Sequence, residues 1–142
     1  MTLNLIKLSV GSESLDDLKA WQKDWLKAQK AQGIKKPELV HVTRMTPKRI
    51  GELLDGGSIY WVVKGWIVAR QKLLDFRETE KNGIPHCAIV YDKTVVPVQM
   101  RQHRAFQGWR YLQPKDAPKD SNASGDDLPD HLKKELAELG LL

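Results

Sequence analysis

The spacing of apolar and polar residues changes several times along the chain, and each change marks an element. Residues 3–10 are mostly apolar, with Leu3, Leu5, Lys7 and Ser9 alternating against Asn4, Ile6, Leu8 and Val10. This run, ended by Gly11, predicts a first strand. Ser14 with Asp17 three residues later resembles a capping box. Leu15, Leu18, Trp21, Trp25 and Ala28 follow at helical spacing, with Lys19, Lys23, Lys27 and Lys30 on other faces. They predict an amphipathic helix of about four to five turns built on that apolar stripe and ended by Gly33.

Pro37 opens a short predicted strand over 39–45. Thr46-Pro47 then supplies an N-cap and a first-turn proline, so a second helix is expected to run to about Leu54 and to stop at Gly56-Gly57. Residues 58–64 and 66–78 are rich in β-branched and aromatic residues and are broken at Gly65. They read as one long bent strand or as two paired strands. Asn82-Gly83 is the strongest hairpin signal, leading into a strand over 85–91. Further strands are expected over 95–100 and 105–112, the first at an edge or bulge because it contains Pro97. Residues 114–129 are rich in Pro, Asp, Ser and Gly and read as a flexible linker, and 130–142 as a short amphipathic helix. The order predicts one α+β domain over 1–113: a small curved antiparallel sheet or partly open β-barrel flanked by two helices.

Charge adds a functional hint. Residues 35–115 hold fifteen Lys or Arg against seven Asp or Glu, whereas residues 116–142 hold three against seven. A basic middle favours an anionic partner, nucleic acid or a phosphorylated ligand, although many domains are mildly basic without one. The longest uncharged apolar stretch, 59–63, is too short to span a bilayer, so no membrane partner is expected. The first residues do not read as a secretory signal and Cys87 has no cysteine to pair with, which favours the cytoplasm.

Three stretches carry candidate chemistry. Arg44, Lys48 and Arg49 crowd the start of the second predicted helix beside its Thr46 cap, where acidic residues are usual. A phosphate there would satisfy both the unpaired N–H groups and the cations; alternatively, Glu52 pairs with Lys48 on a solvated helix end. Tyr60, Trp61, Lys64 and Trp66 mix aromatic and basic residues, a pattern that can stack a base and hold its phosphate; alternatively, the tryptophans are core. Between Arg101 and Tyr111, Arg104 and Arg110 interleave with Phe106 and Trp109, suited to single-stranded nucleic acid or simply to core packing with surface arginines. The candidate anion track is therefore Arg44, Thr46, Lys48, Arg49, Lys64, Arg70, Arg104 and Arg110, with Tyr60, Trp66 and Trp109 as stacking candidates. His41, His86, Cys87 and His103 lack zinc spacing, and no phosphate-loop, dinucleotide or nucleophile-elbow motif occurs, so no metal or cofactor is expected.

The stretches His41-Val42-Thr43-Arg44-Met45-Thr46-Pro47-Lys48-Arg49, Gly56-Gly57-Ser58-Ile59-Tyr60-Trp61-Val62-Val63-Lys64-Gly65, Ala69-Arg70-Gln71 and Phe106-Gln107-Gly108-Trp109-Arg110-Tyr111-Leu112 resemble a proteobacterial family, domain of unknown function 1489. The resemblance covers about residues 3–118 and implies a cytoplasmic bacterial protein without implying an activity. Residues 41–76 also resemble, in pattern only, the PUA and ASCH group of small RNA- or nucleotide-binding barrels. The expected function is a nucleic-acid-binding module with RNA favoured. One alternative is an enzyme on a nucleotide or phosphorylated small molecule, using Glu52 or Asp75. A protein-interaction domain is the other.

Overall fold

The structure is a computed structural model and describes residues 2–121. Strand β1 (Asn4–Leu8) leads to helix α1 (Leu15–Ala31), strand β2 (Leu39–Thr43) and a one-turn helix α2 (Ile50–Leu53). Five strands follow: β3 (Ser58–Val63), β4 (Trp66–Lys81), β5 (Ile84–Tyr91), β6 (Val96–Gln102) and β7 (Trp109–Leu112). All seven strands form one open sheet in the order β2-β5-β4-β3-β1-β7, with β6 also on β4. The domain is α+β, as the element order predicts. The sheet departs from the expected antiparallel pattern at one pair: β1 and β3 run parallel. A parallel pair needs a crossover, here the long stretch carrying α1, β2 and α2.

β4 is the spine. Its first half pairs with β3 and β6 and its second half with β5, and its register shifts at Ile67/Ala69 and Leu73/Asp75. Bulges bend a strand and increase its twist, so these two shifts curve the sheet. Pro97 of β6 pairs opposite the first of them, at Ala69, which fits the bulge expected at a strand proline. Both β4 hairpins are two-residue turns with positive φ throughout: Lys64 at 48° with Gly65 at 81°, and Asn82 at 54° with Gly83 at 77°. That geometry matches the strand twist and is why Asn-Gly is so readable in sequence.

The sheet buries apolar residues on both faces. One face joins Leu5, Ile59, Trp61, Val63, Leu73, Ile89 and Tyr91 to Leu15 and Leu18 of α1. The other gathers Ile6, Tyr60, Val62, Ile67, Val98 and Leu112, with Phe106 and Ala117 packed against them. Ser14 caps α1 by accepting from Asp17 N at 3.1 Å, and Asp17 in return accepts from Glu13 N. The buried line of α1 is Leu15, Leu18 and Gln22. Trp21 and Trp25, placed in the apolar stripe by sequence, lie exposed on its flank.

Residues 114–121, expected to begin a linker, lie against β6. Lys119 O accepts from Gln99 N at 2.8 Å, and Ser121 N donates to Pro97 O at 2.9 Å. The Asp120 carboxylate clasps Arg70 with two 2.7 Å hydrogen bonds. The chain therefore leaves β7, at one end of the sheet order, and fastens onto β6. The rest of the expected linker and the expected helix at 130–142 lie outside the described residues.

Candidate functional site

The segment expected to open the second helix is a loop. α2 begins only at Ile50, with Arg49 as its N-cap residue and no side-chain cap. The reason lies in β7. The Tyr111 hydroxyl accepts from Lys48 N at 3.0 Å and from Arg49 N at 3.2 Å, and Trp109 Nε1 donates to Met45 O at 2.8 Å. Two N–H groups that a helix start would have offered to a phosphate are thus taken by the protein. Burial pushes the pKa of the Cys87 thiol up, and the nearby Thr46 side chain opposes that shift. Arg49 pairs with Glu52 through two guanidinium nitrogens, Nε to Oε2 and Nη2 to Oε1 at 2.8 Å, and lies over the Tyr111 ring. The helix-terminus phosphate site expected from sequence is therefore not formed.

A different cation takes the central position. Lys7 of β1 pairs in register with Trp61 on one side and Trp109 on the other. Paired residues share a face, so the lysine stem stands between two buried indoles. The His41 ring meets the edge of Trp61, with centroids 6.3 Å apart and planes at 86°. Lys7 is partly buried, which pushes its pKa down. Among the described residues it has no carboxylate partner, and neither have the exposed Arg44 and Lys48. Lys7, His41, Trp61, Trp109, Tyr111 and the 44–49 loop form the candidate site: a cationic rim over an aromatic floor. Such a rim can hold an anion and offers no nucleophile activated by a base.

Of the other expected cations, Lys64, Arg70, Arg104 and Arg110 do not converge there. Lys64 pairs with Glu13 at 3.2 Å, and the backbone beside it receives His103 N, next to the exposed Arg104. Arg70 and Arg110 lie on the opposite sheet face, in one cross-strand row with Ile6 and Tyr60. Arg70 is held by Asp120 and Ser58 Oγ, and Arg110 donates to the carbonyls of Gln107 and Trp109 while covering the Phe106 ring. Tyr60, Trp66 and Trp109, expected to stack bases, are each less than a tenth exposed. They present no free ring face, because a short curved sheet needs its large aromatics as core. Glu52 and Asp75 are held ionised by Arg49 and Arg77, with pKa values pushed down by those hydrogen bonds. Among the described residues, no group of three or more His, Cys, Asp or Glu could hold a metal, and no helix is long and apolar enough to cross a membrane.

Sequence reasoning missed Lys7 and His41. The available signal was Lys7 itself, a charge at an inward position of an alternating strand. Burial first, and then the charge of Lys7, pushes the His41 pKa down to about 4. An unfolded histidine titrates near about 6.5. Between those values the unfolded chain binds a proton that the fold refuses, so stability falls as pH drops through this window and the loss is complete below about 4. Allowing for the exposed part of the ring, the loss amounts to about 2 kcal/mol. His41→Gln is expected to flatten the urea midpoint between these pH values relative to the parent chain. Equal slopes for the two proteins would remove His41 from this role.

The fold is an open α+β sheet that carries this cationic rim on one face. The chain belongs to the family described as protein of unknown function (DUF1489), whose model matches residues 5–142. No curated protein and no solved structure matches it.

Proposed function

We propose that the protein binds nucleic acid, RNA in preference, at the rim formed by Lys7 and the 44–49 loop. The observation that carries this reading is the ammonium of Lys7. Lys7 is partly buried between two indoles with no carboxylate partner among the described residues, and one of those indoles, Trp109, bonds the loop that carries the likewise unpaired Arg44 and Lys48. A desolvated cation without a partner is costly. A phosphate oxygen at the rim would remove that cost and form charge-assisted hydrogen bonds. A bacterial cytoplasmic location fits this reading.

The test is fluorescence anisotropy with matched RNA and DNA strands over a salt series. The parent should bind, with affinity falling steeply as salt rises. Lys7→Gln, Arg44→Gln and Lys48→Gln together should flatten the log–log salt slope by about 2 units, the share of three single-strand phosphate contacts. If the triple variant keeps the parent's affinity and slope, the rim is not the interface. Displacement of RNA by a mononucleotide at equal phosphate concentration would redirect the reading to a phosphorylated small ligand.

A further inference from the structure

Helix α1 presents an aromatic surface that the packing of the domain does not use. Its buried line runs through Leu15, Leu18 and Gln22, with Leu26 packed in part. One turn apart on the flank, Trp21 is 51% and Trp25 42% exposed. Their rings lie nearly parallel, with centroids 6.2 Å apart and planes within 11°. The platform is held in place. Trp25 Nε1 donates to Glu38 O at 3.3 Å, while Gln29 both donates to Glu38 O and accepts from Glu38 N at 2.9 Å. Those bonds fix the start of β2 to the helix and leave a groove of about 320 Å³ beside Trp25, lined also by Ala28, Gln32, Ile34, Lys36, Val40 and Glu38, whose carboxylate is held by Arg77. Adjacent exposed apolar groups of this size mark a contact surface.

Charge selects the occupant. Residues 19–36 carry six lysines and a single acid, Asp24. Among the described residues, none of these lysine side chains has an ion-pair or hydrogen-bond partner. Flat aromatic faces next to unneutralised ammonium groups suit a chain of flat rings joined by phosphates. A duplex keeps its bases stacked on one another and cannot offer their faces to an indole. An apolar peptide would leave the lysines unanswered.

We propose that Trp21 and Trp25 form a base-stacking platform for single-stranded nucleic acid, with the groove beside Trp25 receiving a base and Lys36 its phosphate. This inference rests on the nucleic-acid reading above but uses a separate surface, and it narrows the ligand to unpaired strands.

The experiment uses the full chain with oligouridine, oligoadenosine and an RNA duplex as probes. The double change Trp21→Ala/Trp25→Ala loses the Trp25–Glu38 bond but keeps both Gln29–Glu38 bonds, so the urea midpoint should fall only slightly and the variant should stay folded. It should weaken binding of the single strands about tenfold or more, with duplex binding and the salt slope unchanged. Trp21→Phe/Trp25→Phe should retain most of the affinity, because a smaller ring still stacks. Single-strand affinity unaltered in the double alanine variant overturns the platform, and if the Lys7, Arg44 and Lys48 variant still weakens binding, the rim reading survives it. A parent that binds none of the probes overturns both. A double alanine variant that loses self-association in sedimentation while keeping its RNA affinity would make this face a contact between copies of the chain, and would also overturn the proposal.

Discussion

Gly57→Ala is expected to destabilise the fold by about 3 kcal/mol or more, the largest effect of any glycine-to-alanine change among the described residues. A Cβ at residue 57 would collide with the carbonyl oxygens of both Leu3 and Leu53. Those atoms are backbone and cannot rotate aside. Gly57 N donates to Leu53 O at 3.0 Å and Gly57 O accepts from Leu73 N at 3.0 Å, so the end of α2, the segment before β1 and the spine β4 all meet on this residue. Relief of the clash would have to move at least one of them. The measurement is the urea midpoint, with Gly51→Ala as the control. Gly51 sits in α2 with open space around it, and alanine there should be neutral or stabilising by up to about 1 kcal/mol. A Gly57→Ala midpoint matching the parent's would mean that the three segments are not locked together as described.

Gln71→Leu should cost about 3–4 kcal/mol, for a different reason. The Gln71 amide is fully buried and uses every hydrogen-bonding position it has. Its oxygen accepts from Gln22 Nε2 at 2.7 Å and from Trp61 Nε1 at 2.8 Å. Its nitrogen donates to Gln22 Oε1 at 2.7 Å and to Asp92 O at 2.8 Å. Leucine would strand the Gln22 amide, the indole N–H and a backbone carbonyl in an apolar setting. Adding Gln22→Leu should return part of the loss, because it removes one of the stranded groups, while Trp61 and Asp92 remain unpaired. Double-mutant-cycle measurements of unfolding free energy read this coupling. Strictly additive effects of the two substitutions would show that the reciprocal amide pair contributes nothing of its own.

These two residues also show where sequence reading stops. Elements with local causes were legible: the Ser14 cap with its Asp17 N–H, and the Asn82-Gly83 hairpin with both residues at positive φ. The start of α2 was not, because the acceptor for Lys48 N is a tyrosine 63 residues further on. Local propensity pointed to Thr46 and a tertiary contact overruled it. The inward line of α1 was misread for a related reason. One of its members is Gln22, a polar residue made buriable only by Gln71, which is 49 residues away in sequence. Hydrophobicity alone therefore assigned the inward role to Trp21 and Trp25. The candidate site suffered most. Arg49, Lys64 and Arg70 are each neutralised by a carboxylate whose proximity no spacing rule reveals, Glu52 excepted at three residues. Lys7, which keeps no such partner among the described residues, is surrounded by apolar sequence that hides it within a strand.

The fastening of residues 119–121 onto β6 has a practical meaning for anyone shortening or labelling the polypeptide. A truncation just after Leu112 would preserve all seven strands yet discard the Asp120 carboxylate, leaving the Arg70 guanidinium with Ser58 alone and the outer edge of β6 bare. A bare strand edge invites intermolecular pairing. Ser121 is therefore the earliest sensible stop, and a dye or tether attached at that residue sits next to β6.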